Sequence, residues 1–172
     1  MRIKILTLAC IMLLAIFAGC GQKSNIDVSI EPNSFVITTE DELYKAVERW
    51  AGRLDRMAES AKSVHDKWDA GDISREEYFE EIQRINEDMK GLKRESDLKT
   101  EFELTGSEID ELRWDNLMIA YDNAKKGLND YFVLSPELSE DQQVKDMYVS
   151  KVEGGYQDGM DLLKEYLDEY FK

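Results

Sequence analysis

The chain has 172 residues, 37 of them acidic and 22 basic, for a net charge of −15. Such an excess of carboxylates argues against nucleic acid as a partner, because phosphate contacts demand Lys and Arg, and it favours cationic partners instead. The length suits one ordinary domain able to bury a core without staples, and the charge keeps its body off an anionic membrane surface.

The amino terminus differs from everything that follows. Arg2 and Lys4 give a basic start, Ile5 to Phe17 is an uncharged apolar run broken only by Thr7, and Ala18 and Gly19 are small. Basic start, short apolar stretch and small residues at the end describe a secretory signal peptide. The run is short for a membrane-spanning helix, which needs about 20 residues.

Phe17-Ala18-Gly19-Cys20 resembles the lipobox of bacterial lipoproteins, with Phe17 where members of that family usually carry Leu. The resemblance covers residues 1–20. It implies a diacylglyceryl group on the Cys20 sulfur, cleavage just before that residue, and a protein anchored to the cell membrane at its extracytoplasmic face. Two acyl chains give stable attachment where one is marginal. The expected organisation is a removed signal at 1–19, a lipidated cysteine and tether at 20–38, and a helical domain at 39–172. Cys10 would leave with the signal and Cys20 would carry lipid, so no thiol remains for a disulfide or a nucleophile.

In the tether, Ile26, Val28 and Ile30 alternate with Asp27, Ser29 and Glu31, a strand-like period, before Pro32-Asn33-Ser34 turns the chain. A mostly irregular linker is the expected state, spanning on the order of 20–25 Å.

Helical spacing begins at Thr39, which forms a capping-box pair with Glu42. Leu43, Val47, Trp50, Leu54, Met57, Ala61, Val64 and Trp68 then recur in steps of four and three, and Gly71 ends the stretch. Ser74 and Glu77 open a second helix at once, with a stripe of Tyr78, Ile82, Ile85, Met89 and Leu92 that fades near Leu98. After a loop at Thr100 to Gly106, a third helix is predicted from about Ser107, with Trp114, Leu117, Tyr121, Ala124, Leu128 and Tyr131 on one face. Ser135-Pro136 breaks it. A fourth runs from about Ser139 to Phe171 with Val149, Val152, Tyr156, Met160, Leu163, Leu167 and Tyr170 as its stripe, containing a phase shift of two successive steps of four. Each helix must bury one apolar face against the others, so the expected fold is all-α, an antiparallel up-down-up-down four-helix bundle with long helices.

Chemistry is scarce in this pattern. His65, the chain's single histidine, flanks the first stripe with Asp69 one turn on, and reads as a surface histidine, not a ligand. The Glu-x-x-His motif of di-metal bundles is absent, since Lys62 stands three residues before it, and zinc ligation lacks thiols. No Gly-x-Ser-x-Gly elbow and no phosphate-binding glycine loop is present. No catalytic residue, metal or cofactor is predicted, and an enzyme is not expected.

Two features stand out. Gly154-Gly155-Tyr156-Gln157-Asp158-Gly159 places three glycines inside a predicted helix, each costing roughly 0.5–1 kcal/mol against alanine. That implies a kink or a close helix approach, and in its functional version a pocket beside Tyr156. Tyr148, Tyr156, Tyr166, Tyr170 and Phe171 crowd the carboxyl end beyond what one core stripe can take. Tyr156, Gly155, Gly159, Tyr166 and Phe171 are therefore the candidate binding residues, beside the lipidation site Cys20. The preferred expectation is a lipid-anchored envelope protein whose acidic helical domain binds a cationic envelope protein or peptide. The alternatives are a small-ligand binder or hydrolase with a cleft near the glycines, and a structural spacer.

Overall fold

A computed structural model describes residues 39–96 and 111–171. The lipobox with Cys20, the tether, the loop at Thr100 to Gly106 and the predicted helix start at Ser107 lie outside the described residues. What is described is all-helical, with four helices: α1 (Glu40–Asp69), α2 (Arg75–Ser96), α3 (Glu111–Leu134), and α4, which runs as α-helix over Asp141–Tyr148, π-helix over Val149–Tyr156 and α-helix again over Gln157–Phe171. None of these helices is long and apolar enough to cross a membrane.

Local chemistry sets the helix ends. The Thr39 hydroxyl accepts from the Glu42 amide at 3.2 Å, and Glu40, Asp41 and Glu42 place negative charge in the first turn of α1, where the helix dipole favours it. At the other end Gly71 takes φ 79°, while the Asp72 amide reaches back to the Lys67 carbonyl at 2.8 Å, closing the helix with a left-handed glycine. Ser74 and Glu77 then cap α2 reciprocally, at 2.8 and 3.2 Å. Between α3 and α4 the chain makes a 3-10 turn at Ser135–Glu137, with Pro136 barring continuation of α3. The Arg75 guanidinium clamps that link to the start of α2, donating to the Leu138 carbonyl at 2.5 Å and pairing with Asp141.

The predicted stripes converge on one core. Every stripe residue of α1 is buried except the half-buried Val64, and all five of α2 are buried. On α3, Leu117, Tyr121, Ala124, Leu128 and Tyr131 are buried and Trp114 partly so. Ring contacts record which levels meet. Tyr44 lies 6.2 Å from Trp114, Trp50 is 5.6 Å from Tyr121, Trp68 stacks on Tyr78 at 4.6 Å, and His65 stacks on Tyr148 at 3.9 Å.

The stripe of α4 needs one correction. Val149 is 56% exposed, and the buried residues before Val152 are Tyr148 and Val144. The buried row Val144, Tyr148, Val152, Tyr156 and Met160 therefore advances by four each time. In an α-helix four such steps would drift by about 160° around the axis, out of the core. The wider π-helical turns over Val149–Tyr156 absorb that drift and keep the row facing inward. The helix also begins at Asp141, two residues later than its sequence suggests.

Candidate functional site

The candidate site lies where α1 begins and α4 ends. Tyr44 and Tyr170 stack with centroids 3.5 Å apart and planes 4° from parallel, and Phe171 meets Tyr44 edge-on at 6.4 Å and Tyr170 at 5.1 Å. Trp114 closes the group from α3. Tyr44 is buried by these partners, whereas Phe171 stays 44% exposed, so the cluster has one open aromatic edge. Tyr166 lies one turn before Tyr170 and packs partly buried against the core.

Carboxylates rim this edge. Glu40, Asp41 and Glu42 come from the first turn of α1, and exposed Asp168 and Glu169 from the last turn of α4. The Tyr170 phenol is held above its ordinary value, first by burial and then by the charges of Glu40 and Asp41, with Arg113 and Lys45 opposing. Lys45 is itself engaged by Asp41 at 2.7 Å. An aromatic edge inside a ring of carboxylates is a chemical match for an ammonium or guanidinium group, which gains from the ring face and the nearby charge together.

The remaining sequence candidates lie elsewhere. Tyr156 is buried against α1, where its hydroxyl donates to Asp55 Oδ1 at 2.6 Å and Lys164 Nζ reaches the other Asp55 oxygen at 3.0 Å. Burial, then the Asp55 hydrogen bond, holds the Tyr156 phenol well above its ordinary range. The ring fills core; no pocket opens beside it. Gly155 and Gly159 serve packing between α3 and α4. A Cβ on Gly159 would meet the Ala124 nitrogen at 2.5 Å, and one on Gly127 would meet the Tyr156 nitrogen at 2.6 Å and the Lys151 oxygen at 2.7 Å. Gly155 is looser, its nearest neighbour being the Ser150 oxygen at 3.7 Å. Outside this crossing is a shallow depression of about 370 Å³ lined by Asn123, Lys126, Asp130, Ser150, Lys151 and Asp158, among others.

No family model, curated protein or solved structure matches this chain. The five candidate binding residues thus fall into two groups: Tyr166 and Phe171 at the acidic aromatic end, Tyr156 with the glycines in the packing of α4. Since 14 residues separate Tyr156 from Tyr170, the groups are about 21 Å apart along the axis.

A second titratable cluster sits at the opposite end of α1. His65 is not a surface histidine: its side chain is only 12% exposed, stacked on Tyr148 and edge-on to Trp68 and Tyr78. Its Nε2 is buried without a hydrogen-bond partner. Burial lowers its pKa, while Asp69, Asp66 and Glu153 pull the other way and Lys145 adds to the lowering. Behind it the Tyr78 and Tyr131 hydroxyls hydrogen-bond to each other, and burial pushes the Tyr78 phenol up to about 12. Among the described residues no group of three or more His, Cys, Asp and Glu is placed to hold a metal ion.

Sequence reasoning missed Tyr44, Trp114, Gly127 and Asp55 as site residues. Tyr44 directly follows a stripe residue, Leu43, and was hidden beside it. The Ala124-x-x-Gly127 pair on α3, small residues three apart on one face, was the available sign of a close helix approach.

Proposed function

We propose that this chain is a lipid-anchored protein of the extracytoplasmic face, held by a diacylglyceryl Cys20, whose acidic bundle binds a cationic envelope protein or peptide at the aromatic end. It acts as a binding module, not an enzyme. The observation that carries the reading is the stacked Tyr44–Tyr170 pair with its exposed Phe171 edge, ringed by carboxylates of α1 and α4. Along the chain this is the end of the bundle nearest Cys20, since α1 begins at Glu40. A cationic segment of another envelope protein, itself drawn to the anionic lipid surface, would meet the site at that level.

The arrangement of the helices in this reading is antiparallel, up-down-up-down. Three pairings support it: Tyr44 with Trp114 and Trp50 with Tyr121 give α1 and α3 a common direction, while His65 with Tyr148 and Tyr44 with Tyr170 oppose α1 and α4. Trp50 Nε1 donating to Glu95 at 3.0 Å while Trp68 stacks on Tyr78 opposes α1 and α2.

The test is a titration of the protein with a short Lys- and Arg-rich peptide, followed by the fluorescence of Trp114 beside the site. Binding should weaken as salt rises through the range where the screening length falls below about 8 Å, and Phe171→Ala and Glu169→Lys should each weaken it further. Binding indifferent to salt and to both substitutions would overturn the assignment.

A further inference from the structure

The large apolar side chains that stay exposed among the described residues are Ile119, Val133, Leu134, Val149, Leu162 and Phe171, and all lie on α3 and α4. Phe171 belongs to the aromatic end. The other five border the depression along the α3–α4 crossing. On α3, Ile119, Asn123, Lys126, Asp130 and Val133 follow one another by four and three, so they form a second stripe on the outer side of the helix. The close approach of Gly159 to Ala124, and of Gly127 to Tyr156 and Lys151, sets the register: rising numbers on α3 meet falling numbers on α4. That register brings Leu162 to within a turn of Ile119 at one end and Val149 beside Val133 and Leu134 at the other. The apolar ends are about 21 Å apart.

Between them the groove is polar and balanced. Lys126 pairs with Asp130, Lys151 approaches the same carboxylate at 3.8 Å, and Asp158 lies across. Two lysines against two aspartates make this face close to neutral on a chain of net charge −15. Its ends are apolar and alike, its middle carries both signs, and its floor of glycines lets another surface approach closely.

From this pattern we infer that the outer α3–α4 face is a self-association surface, whose partner is a second copy of this chain. A two-fold rotation about an axis through the middle of the groove lays the Ile119–Leu162 end of one copy on the Val133–Val149 end of the other. The same operation sets each Lys126–Asp130 centre against its own counterpart, as closed isologous contacts require. A cationic partner would be drawn to other faces, where carboxylates are unpaired with lysines. Two copies of so acidic a chain repel everywhere except where the charge is balanced, and they therefore meet at this face. This surface is distinct from the aromatic end, so the two assignments stand or fall separately.

The opposite salt responses separate them experimentally. Sedimentation equilibrium of the full chain in a density-matched mild detergent should show a monomer–dimer equilibrium. It should tighten several-fold as NaCl rises from about 0.05 to about 0.5 M, because salt screens the repulsion between the acidic bodies. Ile119→Glu combined with Leu162→Glu should weaken the dimer by at least about tenfold, as should Lys151→Glu, which unbalances the centre without touching the apolar ends. All three positions are at the surface or partly so, and unchanged far-ultraviolet circular dichroism verifies that the variants fold. A monomer under every condition, a dimer indifferent to both variants, or a dimer that loosens as salt rises would each overturn the inference. None of these outcomes touches the peptide titration.

Discussion

Gly159 and Ala124 meet backbone to backbone: a Cβ on Gly159 would lie 2.5 Å from the Ala124 nitrogen and 2.8 Å from its Cα. Gly159→Ala forces α3 and α4 apart and should lower stability by about 1–3 kcal/mol, the usual cost of overpacking a tight contact. Gly155→Ala meets only ordinary contacts, the nearest at 3.7 Å. It should leave stability equal or raise it by up to about 1 kcal/mol, since alanine suits a helix interior better. Urea unfolding of the pair, compared at constant m-value, checks both signs at once.

Tyr156 spends its hydroxyl on Asp55, which Lys164 also holds. Tyr156→Phe keeps the buried ring and loses one hydrogen bond to a charged acceptor. Because Asp55 retains Lys164 and partial access to water, the expected loss is about 1 kcal/mol, below the usual range for a fully buried bond of that kind. A double-mutant cycle with Lys164→Met should show coupling between the two positions; strict additivity would mean that Asp55 does not link them.

His65 makes stability depend on pH in a definite direction. Burial among aromatic rings lowers its folded pKa, so the unfolded chain takes up a proton that the folded chain refuses. Stability is therefore full above the unfolded histidine value of about 6.5 and is lost as pH falls below it, before carboxylates titrate near about 4. His65→Gln should flatten the melting temperature between about pH 5 and pH 7. A melting temperature equally pH-dependent in that variant would remove His65 as the cause.

Membrane attachment rests on one atom, the Cys20 sulfur. Cys20→Ala should abolish incorporation of labelled fatty acid and move the protein out of the detergent-soluble membrane fraction, because a diacyl anchor has no substitute elsewhere in the described helices. Retention at the membrane without lipid label would point to the uncleaved signal as the anchor instead.

Much of the helical framework was legible. The four-and-three stripes of α1, α2 and α3 went to the core, and the Thr39–Glu42 and Ser74–Glu77 signatures mark real caps, because both signals are local and obey a fixed period. The errors arose where a distant contact overrode the period. Counting back from Val152 by three selects Val149, but π-helical turns make the inward residue Tyr148. His65 reads as solvent-facing from its flanking position, and it is covered by Tyr148, a residue far along the chain. The pairing of Tyr44 with Tyr170 likewise depends on tertiary structure that no single helix encodes.

The π-helical stretch has a consequence for how this chain can vary in length. It holds extra residue count within α4, and everything after it, including the 15 residues of Gln157–Phe171, is aimed by that count. Removing Gly154 would delete no contact of note, yet it would rotate the remainder of the helix by about 100°. Met160 and Leu163 would swing out of the core, and Tyr170 would leave Tyr44. A one-residue gap there would look trivial in a comparison of sequences, and it would cost the molecule its aromatic end some 20 Å away.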